Sequence, residues 1–294
     1  MAVARLFNGY RREAWRNNAL HITMATMELS AMATYVLDDV IDGDVQTMRE
    51  GTNATHIVFG TNAALIAGSR QMTLSLRLLQ KMSLDDANLD LEITREFINM
   101  WDTMWEGEGL NENVSIYASD EVYFERCDKV CAVMYEVMAR LAAIIGDATP
   151  EQIVTCGQLG YLFGMVAMIG NDLMCYLPPE QLAMVTKAQN RVPYEDIKRG
   201  IPTYPAIVAM RNAGDFQAEF LLNPHNFEND DVCAKYVQIV KMLGGIEATL
   251  QLIRNLQKDF LNLLDGHCEG LDEQAKADLR AMGENLNHVE SYFV

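Results

Sequence analysis

The stretch Asp38-Asp39-Val40-Ile41-Asp42-Gly43-Asp44 places four carboxylates within seven residues, at the end of a helix-like run. Asp38 and Asp42 are four residues apart, so on a helix they lie on one face, one turn from each other. Carboxylates this close repel one another unless a cation lies among them. Mg²⁺ suits such a site, because it binds oxygen ligands and is usually held by a few carboxylates together with substrate phosphates. The stretch therefore predicts a magnesium site, with a solvated acidic helix end as the alternative.

The residues before this stretch favour the magnesium site. Residues 20–37 are mostly apolar on nearly every side of a helix, which predicts that this helix is buried. A buried helix directs the carboxylates at its end into a cavity rather than into bulk water.

Length and composition favour one large helical domain. The chain has 294 residues, of which half are hydrophobic and only seven are proline. Few segments alternate polar and apolar residues as strands do, whereas apolar residues recur at helical spacing. We therefore predict an all-α fold in which residues 1–294 form a single domain of about ten or more helices.

The charge of the chain excludes two classes of partner. The formal net charge of −18 opposes binding to nucleic acid and to anionic membranes. The longest apolar stretch, residues 161–169, is too short to span a bilayer, so we expect no transmembrane segment. The six cysteines form no CxxC pair and are typical of buried thiols in a cytoplasmic protein.

A second polar group has the same spacing as the first. Asn171-Asp172-Leu173-Met174-Cys175 repeats the i, i+1, i+4 arrangement and closes an apolar helix over residues 160–170. Two helices with oxygen ligands at their ends could face each other across the core of a bundle. The alternative is a lone polar pair at a helix C-terminus, but the presence of the first motif favours a shared site.

Six landmarks in order resemble the trans-isoprenyl diphosphate synthases, especially the short eukaryotic-type geranylgeranyl diphosphate synthases. The resemblance runs from Phe7-Asn8 to about Pro205, with a weaker helical tail. The landmarks are the DDxxD at residues 38–42, Arg49-Glu50-Gly51, His56-Ile57-Val58-Phe59-Gly60, Lys129, Asn171-Asp172, and Asp196-Ile197-Lys198-Arg199-Gly200 followed by Thr203-Tyr204-Pro205.

The resemblance implies an all-α bundle of the isoprenoid synthase type with a central active-site cavity, and a homodimer. Two acidic helix ends would hold three Mg²⁺ ions around an allylic isoprenyl diphosphate. The metals would pull off the diphosphate and leave an allylic cation in an apolar cavity. The implied metal ligands are Asp38, Asp39, Asp42, Asn171 and Asp172, of which the first three are also the implied catalytic residues.

Further residues are implied to bind the substrate. On the helix before the DDxxD, small side chains one turn and more upstream would line the cavity for the prenyl tail. They leave room for a C20 tail, so we expect a C20 substrate first and a C15 substrate second. The implied substrate-binding residues are Arg49, His56, Lys129, Lys198 and Arg199 for the diphosphate and Ala33, Thr34 and Ser30 for the tail.

Several departures from the family pattern bear on the reaction. The family's GGK..R segment, which binds isopentenyl diphosphate, should lie before Phe7, and Glu50 stands where an arginine should bind phosphate. Ala167-Met168 replaces the family's FQ pair, and Asn171 and Cys175 replace two carboxylates of the second motif. Ile201 replaces the lysine of the GK segment, although Lys198 or Arg199 could substitute for it.

These departures favour an enzyme that does not use isopentenyl diphosphate. Asn171-Asp172 with a small residue at +4 is similar to the NDxxS start of a terpene synthase metal motif, although the Glu expected at +8 falls on Pro179. A terpene synthase is thus the leading prediction. The alternatives are a prenyltransferase, acting on isopentenyl diphosphate or on another acceptor such as an aromatic ring, and a non-catalytic partner subunit. Aromatic residues that could stabilise a cation, or only pack the core, are Tyr35, Trp101, Trp105, Tyr161 and Phe163.

Overall fold

The protein is represented by a computed structural model. It describes residues 2–7, 14–43, 48–49, 52–82, 86–111, 114–185, 191–222, 229–267 and 271–293. Of the residues that carry predictions, Asn8, Asp44, Glu50, Gly51 and Cys268 lie outside these ranges, and only the backbone of Arg49 lies within them.

The first half of the chain is helical apart from one short hairpin. In the hairpin, Met48 pairs with Asn53 and Arg49 pairs with Thr52 in antiparallel register. The elements are α1 (Ala2–Arg5), α2 (Ala14–Ile41), β1 (Met48–Arg49), β2 (Thr52–Asn53), α3 (Thr55–Phe59), α4 (Thr61–Leu79), α5 (Ala87–Asn111), α6 (Asp120–Cys127), a π-helical turn (Asp128–Ala132) and α7 (Val133–Ile145).

All described elements of the second half are helices, which confirms the all-α prediction. The elements are α8 (Pro150–Met174), α9 (Pro179–Val185), α10 (Glu195–Arg199), α11 (Tyr204–Asn212), α12 (Asp215–Leu221), α13 (Asp230–Met242), α14 (Gly245–His267), α15 (Glu273–Glu284) and a closing 3₁₀ turn (His288–Tyr292).

The start of α8 follows directly from its sequence. The Gln152 amide donates to Thr149 Oγ1 at 3.3 Å, and the Thr149 amide donates to Gln152 Oε1 at 2.8 Å. Pro150 occupies the first helical position, where its missing N–H costs nothing. This capping box fixes the start of the helix.

Helix α5 runs past Glu106 and Gly107 to Asn111, although glycine is a poor helix former. Gly107 serves close packing instead. A Cβ at Gly107 would lie 2.7 Å from the backbone carbonyl carbon of Lys129. The glycine therefore lets the π-helical turn approach α5.

Helix α8 is the central helix of the bundle and packs against α7 and α14. A Cβ at Gly160 would lie 2.3 Å from the Tyr135 carbonyl oxygen, and one at Gly164 would lie 2.6 Å from the Ala132 Cα. These small residues allow the close packing that the sequence predicts. Among the described residues, α8 is the one helix long and apolar enough to cross a membrane, and 44% of its apolar window is buried inside the protein. Its packing is that of a core helix.

Two clusters of buried apolar side chains stabilise the bundle. The larger is built mainly around α8, α11 and α14, and the smaller lies among α2, α5 and α7. The two motif-bearing helices, α2 and α8, thus belong to different clusters. Free thiols occur at all five cysteines in the described residues, four of them buried, as the sequence predicts.

Candidate active site

The last turn of α2 carries the first acidic motif. The Asp42 amide donates a hydrogen bond to the Asp38 carbonyl oxygen at 2.8 Å, so the two residues lie one turn apart. Both are partly exposed, whereas Asp39 is only 3% exposed. Gly43 follows with a φ of +63°, a left-handed conformation that ends the helix. Asp38 and Asp42 therefore share the accessible face of the helix end, and Asp39 is turned into the protein.

Helix α10 brings a cation to this motif. Arg199 Nη2 donates to Asp42 Oδ1 at 2.5 Å, although the two residues are 157 positions apart in the sequence. The hydrogen bond to Asp42 raises the pKa of the Arg199 guanidinium, which stays charged. Lys198 pairs instead with Asp230 at 2.7 Å. Of these two predicted substrate-binding cations, Arg199 is the one that contacts the motif in the described part of the chain.

At the end of α8, Asp172 forms a buried ion pair. Its side chain is 2% exposed and its Oδ2 accepts hydrogen bonds from the Tyr123 hydroxyl at 2.8 Å and from Arg126 Nη1 at 3.3 Å. Both partners lie on α6, and the Arg126 side chain is itself only 5% exposed. The Asp172 carboxylate therefore anchors α8 to α6.

The other two positions of the second motif are neutral. Asn171 is exposed, and its Oδ1 accepts a hydrogen bond from Arg191. Cys175 is buried, and desolvation raises the pKa of its thiol well above the ordinary value. A protonated thiol is a poor ligand for Mg²⁺. The second motif thus presents an amide where the family pattern has a carboxylate.

A further acid lies near Asp172. Burial, together with the charges of Asp172 and Glu195, raises the pKa of Asp196 to about 7, and Arg126 and Arg191 oppose that shift. Burial alone would lower the pKa of Arg126, but the Asp172 carboxylate beside it brings the pKa above its ordinary value. The two arginines therefore offset the negative charge at this end of α8.

Lys129 lies in the π-helical turn between α6 and α7. Its Nζ lies 3.1 Å from Glu106 Oε2 and 3.0 Å from Glu125 Oε1. These two hydrogen bonds raise the pKa of Lys129. Turns of this type are frequent at functional sites. The ammonium has three N–H donors, so it could bind a diphosphate, as the family resemblance implies, with the remaining donor or in exchange for one of the two carboxylates.

His56 lies on α3, just after the hairpin that carries Arg49. Both ring nitrogens of His56 are buried without a hydrogen-bond partner among the described residues. The diphosphate-binding roles of His56 and Arg49 stay predictions.

A small pocket with a cavity volume of about 30 Å³ opens between α2 and α5 beside the first motif. Of the three small residues predicted to line the tail cavity, Thr34 is part of its wall. Ala33 is fully buried in the smaller core cluster, and Ser30 is buried with its hydroxyl bonded to the Thr26 carbonyl oxygen at 2.9 Å. The pocket is lined by Thr34, Leu37, Asp38 and Ile41 on α2 and by Trp101, Met104, Trp105 and Glu108 on α5.

A second, wider pocket, with a cavity volume of about 430 Å³, lies between α8 and the C-terminal residues. Asn171 lines it, so it adjoins the second motif. Phe163 also lines it and packs on Tyr135 with ring centroids 5.1 Å apart. Of the five aromatic residues named from the sequence, Trp101 and Trp105 line the first pocket and Phe163 lines the second, whereas Tyr35 and Tyr161 line neither.

Sequence reasoning missed the two arginines that compensate the second motif, Arg126 and Arg191. One signal could have revealed Arg126. It shares a helix face with Tyr123, three positions earlier, and is adjacent to Cys127, and both of these residues are buried. A charge on a buried face requires a partner of opposite charge.

The described residues fit Mg²⁺ at the first motif but not at the second. Asp38 and Asp42 provide oxygen ligands on one accessible face, and Mg²⁺ is commonly held by one or two carboxylates together with substrate phosphates. Asp172 does not fit, because it is buried and bonded to Tyr123 and Arg126. Within the described ranges, no group of three or more His, Cys, Asp or Glu side chains is placed to hold a metal ion. Substrate oxygens would have to complete the coordination.

Comparison with known protein families gives a match over most of the chain. The family model described as polyprenyl synthetase matches residues 1–243. The nonaprenyl diphosphate synthase of Mycobacterium tuberculosis is 24% identical over 196 residues, which are 67% of this chain and 55% of that protein. The geranylfarnesyl diphosphate synthase of Aeropyrum pernix is 23% identical over 241 residues, 78% of this chain and 70% of that protein. The chain therefore spans little more than half of the first relative.

A solved structure shows the same fold. The polyprenyl synthase of Caulobacter crescentus, complexed with calcium and isoprenyl diphosphate, has a TM-score of 0.81 at 18% identity. The alignment covers 97% of this chain and 81% of that one. Because the family model matches well over half of the residues, this chain belongs to the polyprenyl synthetase family.

Proposed function

We propose that this protein is a Mg²⁺-dependent prenyltransferase that ionises an allylic prenyl diphosphate and joins the prenyl group to isopentenyl diphosphate. One observation carries the proposal. A single segment brings a cation to each motif, with Arg191 at Asn171 and Arg199 at Asp42. A diphosphate between the motifs would meet carboxylates suited to Mg²⁺ and arginines suited to phosphate oxygens. The two relatives named above support the transferase, since both are prenyl diphosphate synthases.

The side chains at the first motif have distinct roles in this proposal. Asp38 and Asp42 would hold Mg²⁺, which when bound stabilises the negative charge of the departing diphosphate. Arg199 binds phosphate oxygens with its planar guanidinium, leaving Asp42 as the diphosphate arrives. In the same way, Lys129 exchanges its ion pairs with Glu106 and Glu125 for contacts with the diphosphate. Each exchange replaces one ionic partner by another and leaves no buried charge unpaired.

The pocket beside Asp38 receives the prenyl group. Leu37, Ile41 and Met104 provide apolar walls, which keep water from the allylic cation. Trp101 and Trp105 offer π faces in the same pocket. The double bond of isopentenyl diphosphate, rather than water, then attacks the cation and forms a carbon–carbon bond. The resulting adduct loses a proton.

A terpene synthase that does not use isopentenyl diphosphate remains the second candidate. The specific observation in its favour is the remodelled second motif, in which Asn171 and Cys175 are neutral and Asp172 is paired with Arg126. Such a motif binds metal less strongly than a full set of carboxylates. The family relatives favour the transferase, which we adopt as the first candidate.

We also propose that the protein acts as a homodimer. Large apolar side chains are exposed along α3, α4 and α5, a feature typical of subunit interfaces. Ile66 and Phe59 are the most exposed of them. The others are Ile57, Val58, Leu65, Leu74, Leu91 and Ile98.

Product analysis tests the proposed reaction. The purified chain is incubated with Mg²⁺ and C10, C15 or C20 allylic diphosphate, each with and without labelled isopentenyl diphosphate. A labelled, longer prenyl diphosphate supports the transferase. Hydrocarbon or alcohol formed without isopentenyl diphosphate supports the terpene synthase instead. No product from any substrate, by a folded protein, would favour a non-catalytic partner subunit.

A further inference from the structure

We propose that the guanidinium of Arg126 takes the place of a metal ion at the second motif, so that only the α2 side of the diphosphate site holds Mg²⁺. The inference rests on the proposed function, in which the diphosphate lies between the two motifs. It replaces the expectation of metal ligands at both motifs by one motif that binds metal and one that carries its own cation.

Asp172 is bound to a cation that is a fixed part of the protein. Its Oδ2 accepts hydrogen bonds from Arg126 Nη1 at 3.3 Å and from the Tyr123 hydroxyl at 2.8 Å. The side chains of Arg126 and Asp172 are only 5% and 2% exposed. The central guanidinium carbon also lies 5.8 Å from the centroid of the Tyr123 ring, within the range of a cation–π contact. Moving the guanidinium away would leave a buried carboxylate without its partner, which is strongly unfavourable.

Burial distinguishes Arg126 from the two cations proposed to bind the diphosphate. The side chains of Arg199 and Lys129 are 29% and 25% exposed, so phosphate oxygens can reach them and replace their carboxylate partners. The buried guanidinium of Arg126 is not accessible in this way. Arg126 therefore acts on the diphosphate through Asp172, as a positioning residue, and not by direct contact.

A metal ion at Asp172 would meet an unfavourable charge. Both hydrogen bonds go to Oδ2, so a metal ion on the other carboxylate oxygen would lie beside the Arg126 guanidinium, and like charges at such a range repel. The neighbouring Asn171 offers a neutral amide oxygen, which accepts a hydrogen bond from Arg191. Two guanidiniums thus bond to one carboxylate and one amide at the second motif. Mg²⁺ is better served by the carboxylates at the end of α2.

The same ion pair keeps the second motif from repelling the substrate. A diphosphate is an anion, and a carboxylate without a cation beside it would oppose binding. Where metal ions lie at both motifs, their charge removes that repulsion. Here Arg126 neutralises Asp172 from inside the protein. Arg191, at the exposed Asn171, is then the group that contacts phosphate oxygens on this side.

Counting bound metal ions tests this assignment without turnover. Equilibrium dialysis with inorganic diphosphate and Mn²⁺, which prefers the same oxygen ligands as Mg²⁺, gives the number of ions per chain. Arg126→Met/Asp172→Asn removes both charges and keeps an oxygen that accepts from the Tyr123 hydroxyl. We expect this double variant to bind as many Mn²⁺ ions as wild type, and Asp42→Ala to bind at least one fewer. Loss of a Mn²⁺ ion in the double variant would identify Asp172 as a metal ligand and overturn the proposal.

The Mn²⁺ concentration needed for half-maximal diphosphate binding separates the charge of Arg126 from its packing. In Arg126→Met this concentration should rise about tenfold or more, because Mn²⁺ must then supply the missing charge. Arg126→Lys, which keeps the charge, and the double variant, which needs none, should both resemble wild type. An unchanged value in Arg126→Met, or an equal rise in the double variant, would contradict the proposal.

A second ion pair provides the matched control. Arg140 on α7 pairs with Glu96 on α5 at 2.9 Å, and both side chains are partly buried. Arg140→Met/Glu96→Gln should leave the Mn²⁺ count and the diphosphate affinity unchanged. If Arg126→Met does not fold, Arg126→Lys and the double variant carry the test.

The binding measurements also separate this inference from the proposed function. If wild type binds Mn²⁺ and diphosphate but forms no longer prenyl diphosphate, the proposed function is wrong, and the Mn²⁺ count still decides the role of Arg126. If wild type forms the longer product but the double variant loses a Mn²⁺ ion, the transferase stands and the role of Arg126 is wrong. If wild type binds no Mn²⁺ in the presence of diphosphate, both are wrong.

Discussion

Arg199 on α10 donates a hydrogen bond from Nη2 to Asp42 Oδ1 at 2.5 Å, and so ties the end of α2 to a segment far along the chain. Without a ligand, the guanidinium offsets the repulsion between Asp42 and its neighbour Asp38. It also occupies the place where Mg²⁺ and a diphosphate would bind. Metal and substrate binding are therefore expected to displace it.

Replacing Arg199 should separate metal binding from substrate binding. In Arg199→Gln we expect the KM for the allylic diphosphate to rise about 10- to 100-fold, since a charge-assisted hydrogen bond is lost. Mg²⁺ alone should bind more tightly, because Asp42 is no longer shared. Steady-state kinetics and calorimetric Mg²⁺ titration measure the two effects. Arg211→Gln, which breaks an exposed ion pair with Asp120, is the control, and an unchanged KM in Arg199→Gln would contradict the proposed role.

Removing either accessible carboxylate of the first motif should stop the reaction. Asp38→Ala and Asp42→Ala each remove an oxygen ligand, so we expect turnover to fall about 10³-fold or more while the fold is retained. Product formation and circular dichroism measure the two properties. Asp215→Ala on α12 is the control. Near-normal turnover in either variant would exclude a metal-binding role for that residue.

The Asp172–Arg126 pair should contribute to stability. Arg126→Met and Asp172→Asn each leave a buried charge without its partner, which should lower the free energy of unfolding by about 3 to 5 kcal/mol. The double variant Arg126→Met/Asp172→Asn should recover most of that loss, because no charge is left buried and the asparagine oxygen can still accept from the Tyr123 hydroxyl. Urea unfolding measures all three. Full stability of Asp172→Asn with abolished turnover would instead identify Asp172 as a metal ligand.

The raised pKa of Asp196 should make stability depend on pH. Its folded-state pKa of about 7 lies above the ordinary value of 3.8, so the folded protein keeps a proton that the unfolded chain loses. Its contribution is complete below about pH 4 and is lost as the pH rises towards 7. Asp196→Asn should therefore flatten the decline in unfolding free energy from pH 4 to pH 7. Parallel pH curves for the variant and wild type would contradict this.

Charging the exposed apolar surface should disrupt the proposed homodimer. Ile66→Glu on α4 places a charge in the surface that a second copy would cover. We expect a dimer for wild type and a monomer for the variant in light scattering after size-exclusion chromatography. Phe216→Glu, on an exposed position of α12, is the control. A wild-type monomer at micromolar concentration would contradict the homodimer.

Much of the fold could be predicted because its signals are local. The acidic end of α2 and the capping box before Gln152 depend on residues within a few positions of each other. The small residues on α8 also indicated close packing, which Gly160 and Gly164 confirm. The role of Gly107 could not be predicted, because it depends on Lys129, which is distant in the sequence.

The partners of the motif residues could not be predicted, because they come from distant segments. Spacing identified Asp42 and Asp172 but not that Arg199 and Arg126 would contact them. The second wall of the pocket beside Asp38 also comes from a distant segment. The sequence predicted a tail cavity along α2 through Ala33, whereas the pocket that Thr34 lines has its other wall on α5.

The most direct test of the central claim is the release of diphosphate from a C10 allylic diphosphate in the presence of isopentenyl diphosphate, with and without Mg²⁺. We expect wild type to release diphosphate and form a longer prenyl diphosphate in equal amounts, only when Mg²⁺ is present. Asp38→Ala should do neither. Release that does not require Mg²⁺, or that is undiminished in Asp38→Ala, would contradict a metal-dependent ionisation at the end of α2.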